Sequence, residues 1–294
     1  MDTIRTVFSE LRVWHAPTRF LKWGALIWVA ALALAQPAVA AKLQDKTVQA
    51  FKEHVRKTED GFEKRVRENR FLWVDESQEA MKQVRAGQVV VAPVVGKGEL
   101  HVPDGLIHDW VGAIFIPNAT MEQVLAAQKD YNNHKNTHKP EVLDSKLLSQ
   151  KGNDFKIYLR VSKSKATVTA VLNTEHEVHY TQVDEKRWEA RSYSTRITQV
   201  KNAGERDEKE MPEGDDSGYL WRLNSYWRYV EHDGGVYAEC EAVSLTRDVP
   251  WIFSPIIVPI IRGLPRESLK NTLESTRKAA LIRAVERSNN APRQ

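Results

Sequence analysis

Glu239 and Glu241 stand two residues apart in the stretch VYAECEAVSL, residues 236–245. On a strand, positions i and i+2 share a face, and paired glycosidase-type acids work roughly 5–10 Å apart. A pair of catalytic acids is therefore conceivable, but Arg228 would face them across a hairpin, and solvated ion pairs are the expected use. His176 and His179 lie in HEVH. A zinc protease needs HExxH on a helix, which puts both imidazoles on one face. Spacing of three on a strand sends these rings to opposite faces, so no metal is expected there. His134 and His138 would meet on one side of a helix, but no third ligand is evident, Pro140 is close, and a polar surface is expected. Cys240 is the only cysteine, so an internal disulfide is excluded; it reads as a small buried residue rather than a nucleophile. In RSYSTRI, Arg191 and Tyr193 share one strand face and Arg196 points to the other. A buried arginine must be paired, and in an apolar cavity Arg196 could hold a carboxylate or phosphate head group. No GxSxG, Walker loop, GxGxxG or CxxC occurs, so nucleophilic, phosphoryl-transfer and dinucleotide chemistry have no signature. No cofactor and no metal are expected.

These residues must be positioned by strands and one long helix. YLWRLNSYWRYVE (219–231) and residues 236–245 flank His-Asp-Gly-Gly at 232–235. Asp-Gly supplies the positive φ angles of a tight hairpin turn. With Asp233-Gly234 as the turn, Arg228 faces Glu239, Trp227 faces Cys240, Ser225 faces Ala242 and Leu223 faces Ser244. One face then holds Leu223, Ser225, Trp227, Ala238, Cys240 and Ala242, apolar or small. The other holds Arg222, Asn224, Arg228, Glu239 and Glu241. A slip by one residue would mix the faces. Strands are also expected at 89–95, 107–116, from Phe155 through Val161 by alternation, at 167–180 and at 187–200. Asn118 or Thr120 caps a helix to Asp130, with a short helical turn to His138. Residues 201–216 are densely charged and read as a solvated loop. Val48, Phe51, Val55, Phe62 and Val66 recur at steps of three, four and seven, an amphipathic helix over 43–70. The apolar plug Phe71-Leu72-Trp73 follows, then a helix to about Ala86 with Gly87 as its stop; the plug is expected to fix this extension to the outside of the main domain. The last helix is expected to start after Gly263, with Leu269, Leu273, Thr276, Ala280 and Ala284 on one face.

WRLNSYWRYVEHDGGVYAECEAVSLTRDVPW (221–251) resembles the START-like or SRPBCC helix-grip superfamily, and within it the bacterial polyketide cyclase and coenzyme Q-binding branch. IHDWVGAIFIPNATMEQVLAAQKDY (107–131), RSYSTRI (191–197) and RGLPRESLKNTLESTRKAA (262–280) carry the same resemblance. It implies an α+β helix-grip fold, a curved antiparallel β-sheet wrapped around a long C-terminal helix, here with an N-terminal helical extension. Members bind lipids, sterols, quinones or polyketides, and some are enzymes; fold alone does not assign function. The expectation is non-catalytic binding or carriage of a lipid, isoprenoid or quinone between sheet and helix. Phe155, Ile157, Leu159, Trp221, Leu223 and Trp227 would line the sheet side. Leu269, Leu273 and Ala280 would line the helix side, with Trp251 and Phe253 at the mouth. The alternatives are a polyketide cyclase/dehydratase-like enzyme, drawing an ionisable group from His108, Asp109, Tyr158 or Arg196, and a structural envelope protein with a filled core.

Composition bounds the rest. With 294 residues, 41% hydrophobic and 28% charged, the chain reads as one large domain plus an appendage, neither disordered nor polytopic. Arg5, Arg12, Arg19 and Lys22 precede the apolar run GALIWVAALALA (24–35), and Ala38-Val39-Ala40 fits signal cleavage after Ala40. An uncleaved anchor is the alternative. Without residues 1–40, basic residues number 39 against 37 acidic, so no nucleic-acid footprint is expected. DVPWIFSPIIVPII (248–261) is apolar nearly all round with three prolines, a candidate for peripheral membrane contact through 249–261 or a core plug. The expected division is a signal peptide at 1–40, the helical extension at 41–87, the helix-grip domain at 88–288 and a disordered tail at 289–294. An exported protein, periplasmic or secreted, follows. Oligomeric state is not legible.

Overall fold

The computed structural model describes residues 41–165, 168–248 and 254–290. In chain order the elements are β1 (Ala41–Lys42), α1 (Asp45–Arg67), a 3-10 turn (Trp73–Glu76), α2 (Gln78–Arg85), β2 (Val90–Pro93), β3 (Glu99–Val102), β4 (Gly105–Pro117) and α3 (Met121–Lys129). A second 3-10 turn (Tyr131–Asn133) leads into α4 (His134–Thr137). Then come β5 (Val142–Lys151), β6 (Asp154–Lys165), β7 (Val168–Gln182), β8 (Arg187–Lys201), β9 (Lys209–Glu210), β10 (Asp215–Asp216), β11 (Arg222–His232), β12 (Gly235–Arg247) and α5 (Ser254–Asn290).

The central hairpin forms in the register its turn dictates. Asp233 and Gly234 have φ of 56° and 71°, the left-handed pair that matches strand twist. Arg228 pairs with Glu239, Trp227 with Cys240, Ser225 with Ala242 and Leu223 with Ser244. Around this hairpin an antiparallel sheet runs in the order β2-β4-β12-β11-β8-β7-β6-β5, with β3 on β4 and β9 on β8. The strand β5 is not foreseen in the sequence. Its register slips between Val142 and Asp144 and again between Leu147 and Ser149, so VLDSKLLSQK shows no clean alternation. Thr120 caps α3 as a capping box: its Oγ1 accepts from Gln123 N, and Gln123 Oε1 accepts from Thr120 N at 2.9 Å.

Helix α5 packs against one face of the sheet, chiefly on β4 and β12, with α3 beside it. Leu269, Leu273, Ala279 and Ala280 are buried there with Ile114, Ile116, Ala238 and Cys240. Gly112 permits the closest approach, since a Cβ there would stand 2.7 Å from Leu273 Cδ1. This is a helix-grip α+β architecture, as the resemblance implies. The helix starts earlier than its prolines indicate, at Ser254 rather than after Gly263. Pro255 falls in the first turn, where its missing N–H costs nothing. Pro259 and Pro265 each remove one donor from the helix ladder and are tolerated. The helix ends at Asn290, two residues into the expected tail; residues 291–294, the candidate signal at 1–40, and Trp251 and Phe253 lie outside the described residues.

The opposite, outer face carries the extension. Phe51 and Phe62 of α1 pack on Ile107, Tyr226, Val243 and Leu245. Phe71, Leu72 and Val74 pack with Ala80 and Val84 of α2 on Ala113 and Tyr237. The apolar plug docks the extension, which covers the outer face of the sheet centre.

Candidate functional site

The inner face, the one toward α5, alternates out of the strands as the hairpin register requires. Trp227 lies opposite Ala190, Ser225 opposite Ser192 and Tyr229 opposite Trp188. In turn Ala190 pairs with Tyr180, Ser192 with Val178 and Ser194 with His176, and His176 and Val178 pair with Ile157 and Phe155. The end nearest α3 is aromatic: Tyr131, Phe155 and Tyr180 cluster with ring centroids 5.5 Å apart, and Tyr131 and Tyr180 share an O–H···O bond of 2.8 Å. Trp227 stacks on Tyr229 at 5.9 Å. Lys129 of α3 sits over the rings of Tyr180 and Trp188 at 4.6 and 5.0 Å. Leu159, Trp188, Leu223, Ser225 and Trp227 are only part-buried. Large apolar side chains at the centre of a sheet are thus incompletely covered on this side, and the part-open strip they form is the trough of the inner face.

A histidine stands in its floor. His176 is 5% exposed, and burial pushes its imidazole down to about 4, so it is neutral at physiological pH. Thr174 Oγ1 donates to the carbonyl of Leu159 at 3.1 Å. Its single hydrogen is then spent, and the 3.1 Å contact with His176 Nε2 must be an N–H donated by the ring. The network assigns the Nε2–H tautomer, and Nδ1 keeps a lone pair.

Of the sheet residues expected to line the cavity, Phe155, Ile157, Leu159, Leu223 and Trp227 occupy this face, and Leu269, Leu273 and Ala280 meet it from α5. Two others do not. Trp221 precedes β11 and packs on the outer face with Phe51, Phe62 and Val243, its Nε1–H donating to Asp216 Oδ1 at 3.2 Å. Arg196 is also on the outer face, paired with Glu175 and Glu210. The cause is a β-bulge: between Glu175 and His176 the register skips Thr195, which inverts the alternation expected from Arg191 and Tyr193. A head-group role for Arg196 inside the trough has no geometric support. Tyr158 is likewise outward, donating to Asn173 Oδ1 at 2.8 Å. His108 faces inward with Nε2 on Thr246 Oγ1 at 3.2 Å; Asp109 faces outward. His176 and His179 take opposite faces, the latter exposed beside Asp154. His134 and His138 do meet, with centroids 4.7 Å apart, and burial followed by the charge of His134 pushes His138 down to about 3.

The carboxylates are a correction. Glu239, Glu241 and Asp109 are at most 2% exposed, not solvated. His54 Nε2 lies 2.7 Å from Asp109 Oδ2, Arg65 reaches Glu241 at 3.4 Å, and Trp73 N donates to Glu239 Oε2 at 2.6 Å. Arg228 donates to the Phe71 carbonyl at 2.7 Å and lies 4.2 Å from the Phe62 ring centroid. Glu59 accepts from Tyr193 and Tyr226 at 2.7 and 3.1 Å. Asp109 Oδ1, Glu239 Oε1 and Arg65 Nε are buried without a partner. Burial raises Glu239 to about 7 against the pull of Arg65 and Arg228. Burial and then the charge of Asp109 raise Glu241 to about 8. This cluster is the seat of the extension and is closed to a substrate. Its trace in the sequence is that His54 and Arg65 fall on the same helical stripe as Phe51 and Phe62.

Two open grooves lie elsewhere. One of about 630 Å³ runs along α5 by Arg277, Leu281, Ile282 and Val285. The other, about 390 Å³, lies beside α2. Among the described residues no group of three potential metal ligands converges, and no helix is long and apolar enough to cross a membrane.

No family model and no curated protein matches the chain. Among solved structures it is similar to a Thermus thermophilus protein, 17% identical over 58% of this chain and 96% of that one, with a TM-score of 0.41. It is also similar to a STAR-related lipid transfer protein from Xanthomonas axonopodis, 16% identical over 63% and 98%, TM-score 0.38. A third is the Zhui aromatase/cyclase from Streptomyces, 12% identical over 64% and 96%, TM-score 0.34. At such scores the fold rests on the topology above and not on the likeness.

Proposed function

We propose that this protein is an exported, non-catalytic binder or carrier of a hydrophobic ligand such as a lipid, isoprenoid or quinone, held in the trough between sheet and α5. The observation that carries the reading is the contrast between the two sheet faces. The outer face, with its charges, is sealed by a docked extension. The inner face leaves Trp227, Leu223 and Leu159 part-buried at the middle of the sheet. Apolar surface left part-open gains about 25 cal/mol per Å² when a ligand covers it. Export rests on the charged, apolar and small-residue order of residues 1–40, and peripheral membrane contact rests on the apolar run 249–261. The test is native mass spectrometry and solvent extraction of protein purified from cells. A stoichiometric apolar molecule is expected. An empty protein that also fails to take up lipids and quinones overturns the reading.

A further inference from the structure

The floor of the trough has one polar feature whose hydrogen-bonding sense can be worked out. Among the described residues, the inner-face positions of β11 from Leu223 to Tyr229, of β8 from Trp188 to Ile197 and of β7 from Thr174 to Tyr180 carry no Asp, Glu, Lys or Arg. Arg196, the one guanidinium expected there, is turned out by the bulge. Two cations beyond these positions are already engaged: Lys129 is seated over Tyr180 and Trp188, and Lys163, past Leu159 on β6, pairs with Glu141. A carboxylate or phosphate laid across the middle of the trough would meet no countercharge, and burying an unpaired charge is costly.

His176 is different. The chain from its Nε2–H to Thr174 Oγ1 and on to the Leu159 carbonyl leaves Nδ1 as a bare acceptor. Ser194 stands directly across from it in the sheet, its Oγ accepting from Leu223 N at 2.9 Å, but among the described residues no hydrogen bond joins its hydroxyl to the ring. An acceptor with a lone pair to spare and no protein donor favours a ligand that brings a donor. Carbonyls and ethers bring none.

We propose that the ligand of this trough is an uncharged apolar molecule bearing a hydroxyl group, and that His176 Nδ1 accepts the hydrogen bond of that hydroxyl. The inference rests on the reading of the inner face as a ligand site and adds the class of ligand to it. His176 acts as a specificity-determining residue, selecting alcohols or phenols over ketones, ethers and acids of the same shape.

Displacement of the neutral dye Nile red from the full chain by dodecanol, dodecyl methyl ether and dodecanoate tests it. Dodecanol is expected to displace at a concentration about tenfold lower than the ether, the loss expected when one buried hydrogen bond goes unmade. In His176→Leu the two should fall together within about twofold, while the dye still binds. Equal displacement by alcohol and ether in the natural chain overturns the proposal, as does dodecanoate binding tighter than dodecanol. Failure of the dye and of every dodecyl compound to bind overturns the ligand-site reading itself, a separate result. Should His176→Leu not fold, the alcohol, ether and acid series on the natural chain decides alone.

Discussion

Stability should fall as pH rises from 6.5 to 8.5, because the extension is docked on carboxyls that must stay protonated to be buried cheaply. Glu239 and Glu241 are raised from an ordinary 4.5 to about 7 and about 8. A group raised in the folded state contributes most below its unfolded pKa, and the contribution is lost as pH climbs through its folded pKa. The loss therefore runs from about 4.5 to about 7 for Glu239 and on to about 8 for Glu241. Histidines act with the opposite sign over the lower part of that range. His176 and His138 are depressed to about 4 and about 3, so their contribution falls as pH drops below their unfolded value near 6.5. At pH 6.5 an unfolded imidazole is still half protonated, so these two histidines return about 0.4 kcal/mol each between pH 6.5 and 8.5, less than the two carboxyls lose. Integrating proton uptake from pH 6.5 to 8.5 gives a loss of about 1 kcal/mol from Glu239 and about 2 kcal/mol from Glu241. The groups that face them are Asp109 and Arg228 on the sheet, His54 and Arg65 on α1, and the backbone amides of Trp73 and Val74.

The perturbation is Glu241→Gln, which keeps the shape and removes the ionisation. Urea unfolding followed by tryptophan fluorescence at pH 6.5, 7.5 and 8.5 reads the result. With the histidine gain set against the carboxyl loss, the natural chain should lose about 2 kcal/mol across the window and Glu241→Gln almost none. Hydrogen exchange should place the loss first in α1. A natural chain whose stability is flat or rises from pH 6.5 to 8.5 would refute the reasoning. So would a variant that falls as steeply as its parent, since the slope would then come from other groups.

Three further outcomes follow from local geometry. Thr120→Ala should cost about 1 kcal/mol by removing the capping box of α3, measured as a shift in the urea midpoint without a change in slope. Gly112→Ala should cost about 1–3 kcal/mol, because its Cβ would meet Leu273 Cδ1 at 2.7 Å. Leu273→Ala should cost about 2–5 kcal/mol alone, yet the double variant should fall short of the sum because the alanine at 273 vacates the contested space; strict additivity would show that the two do not touch.

What was legible in the chain divides by the range of the interaction. The register of β11 and β12 followed from two residues, Asp233 and Gly234, because a two-residue turn leaves one pairing. The inner face of that hairpin followed with it, and so did the alternation of β6. The face of Arg196 did not, since a bulge at Thr195 is settled between two strands and leaves no mark in RSYSTRI. The strand β5 was lost for the same reason, being bulged twice.

The buried acids show a harder limit. Arg228 opposite Glu239 reads as a surface pair from the hairpin alone, and only the docking of another element makes it an interior one. That element carried the hint. A helix that buries Phe51 and Phe62 must bury what lies between and beyond them on the same stripe, and here that is His54 and Arg65. A polar sheet face and a helix stripe broken by a histidine and an arginine are each anomalous alone. Together they are complementary, with three carboxylates on one side against an imidazole and a guanidinium on the other and Arg228 between. Burying such a set costs more than an apolar interface of equal size. What it secures is a single docked position, because a helix shifted by one turn would leave Asp109 and Glu241 buried with no partner at all. The extension is then a fixed cover of the outer face, and the inner face is the side of the sheet whose central apolar side chains stay part-exposed.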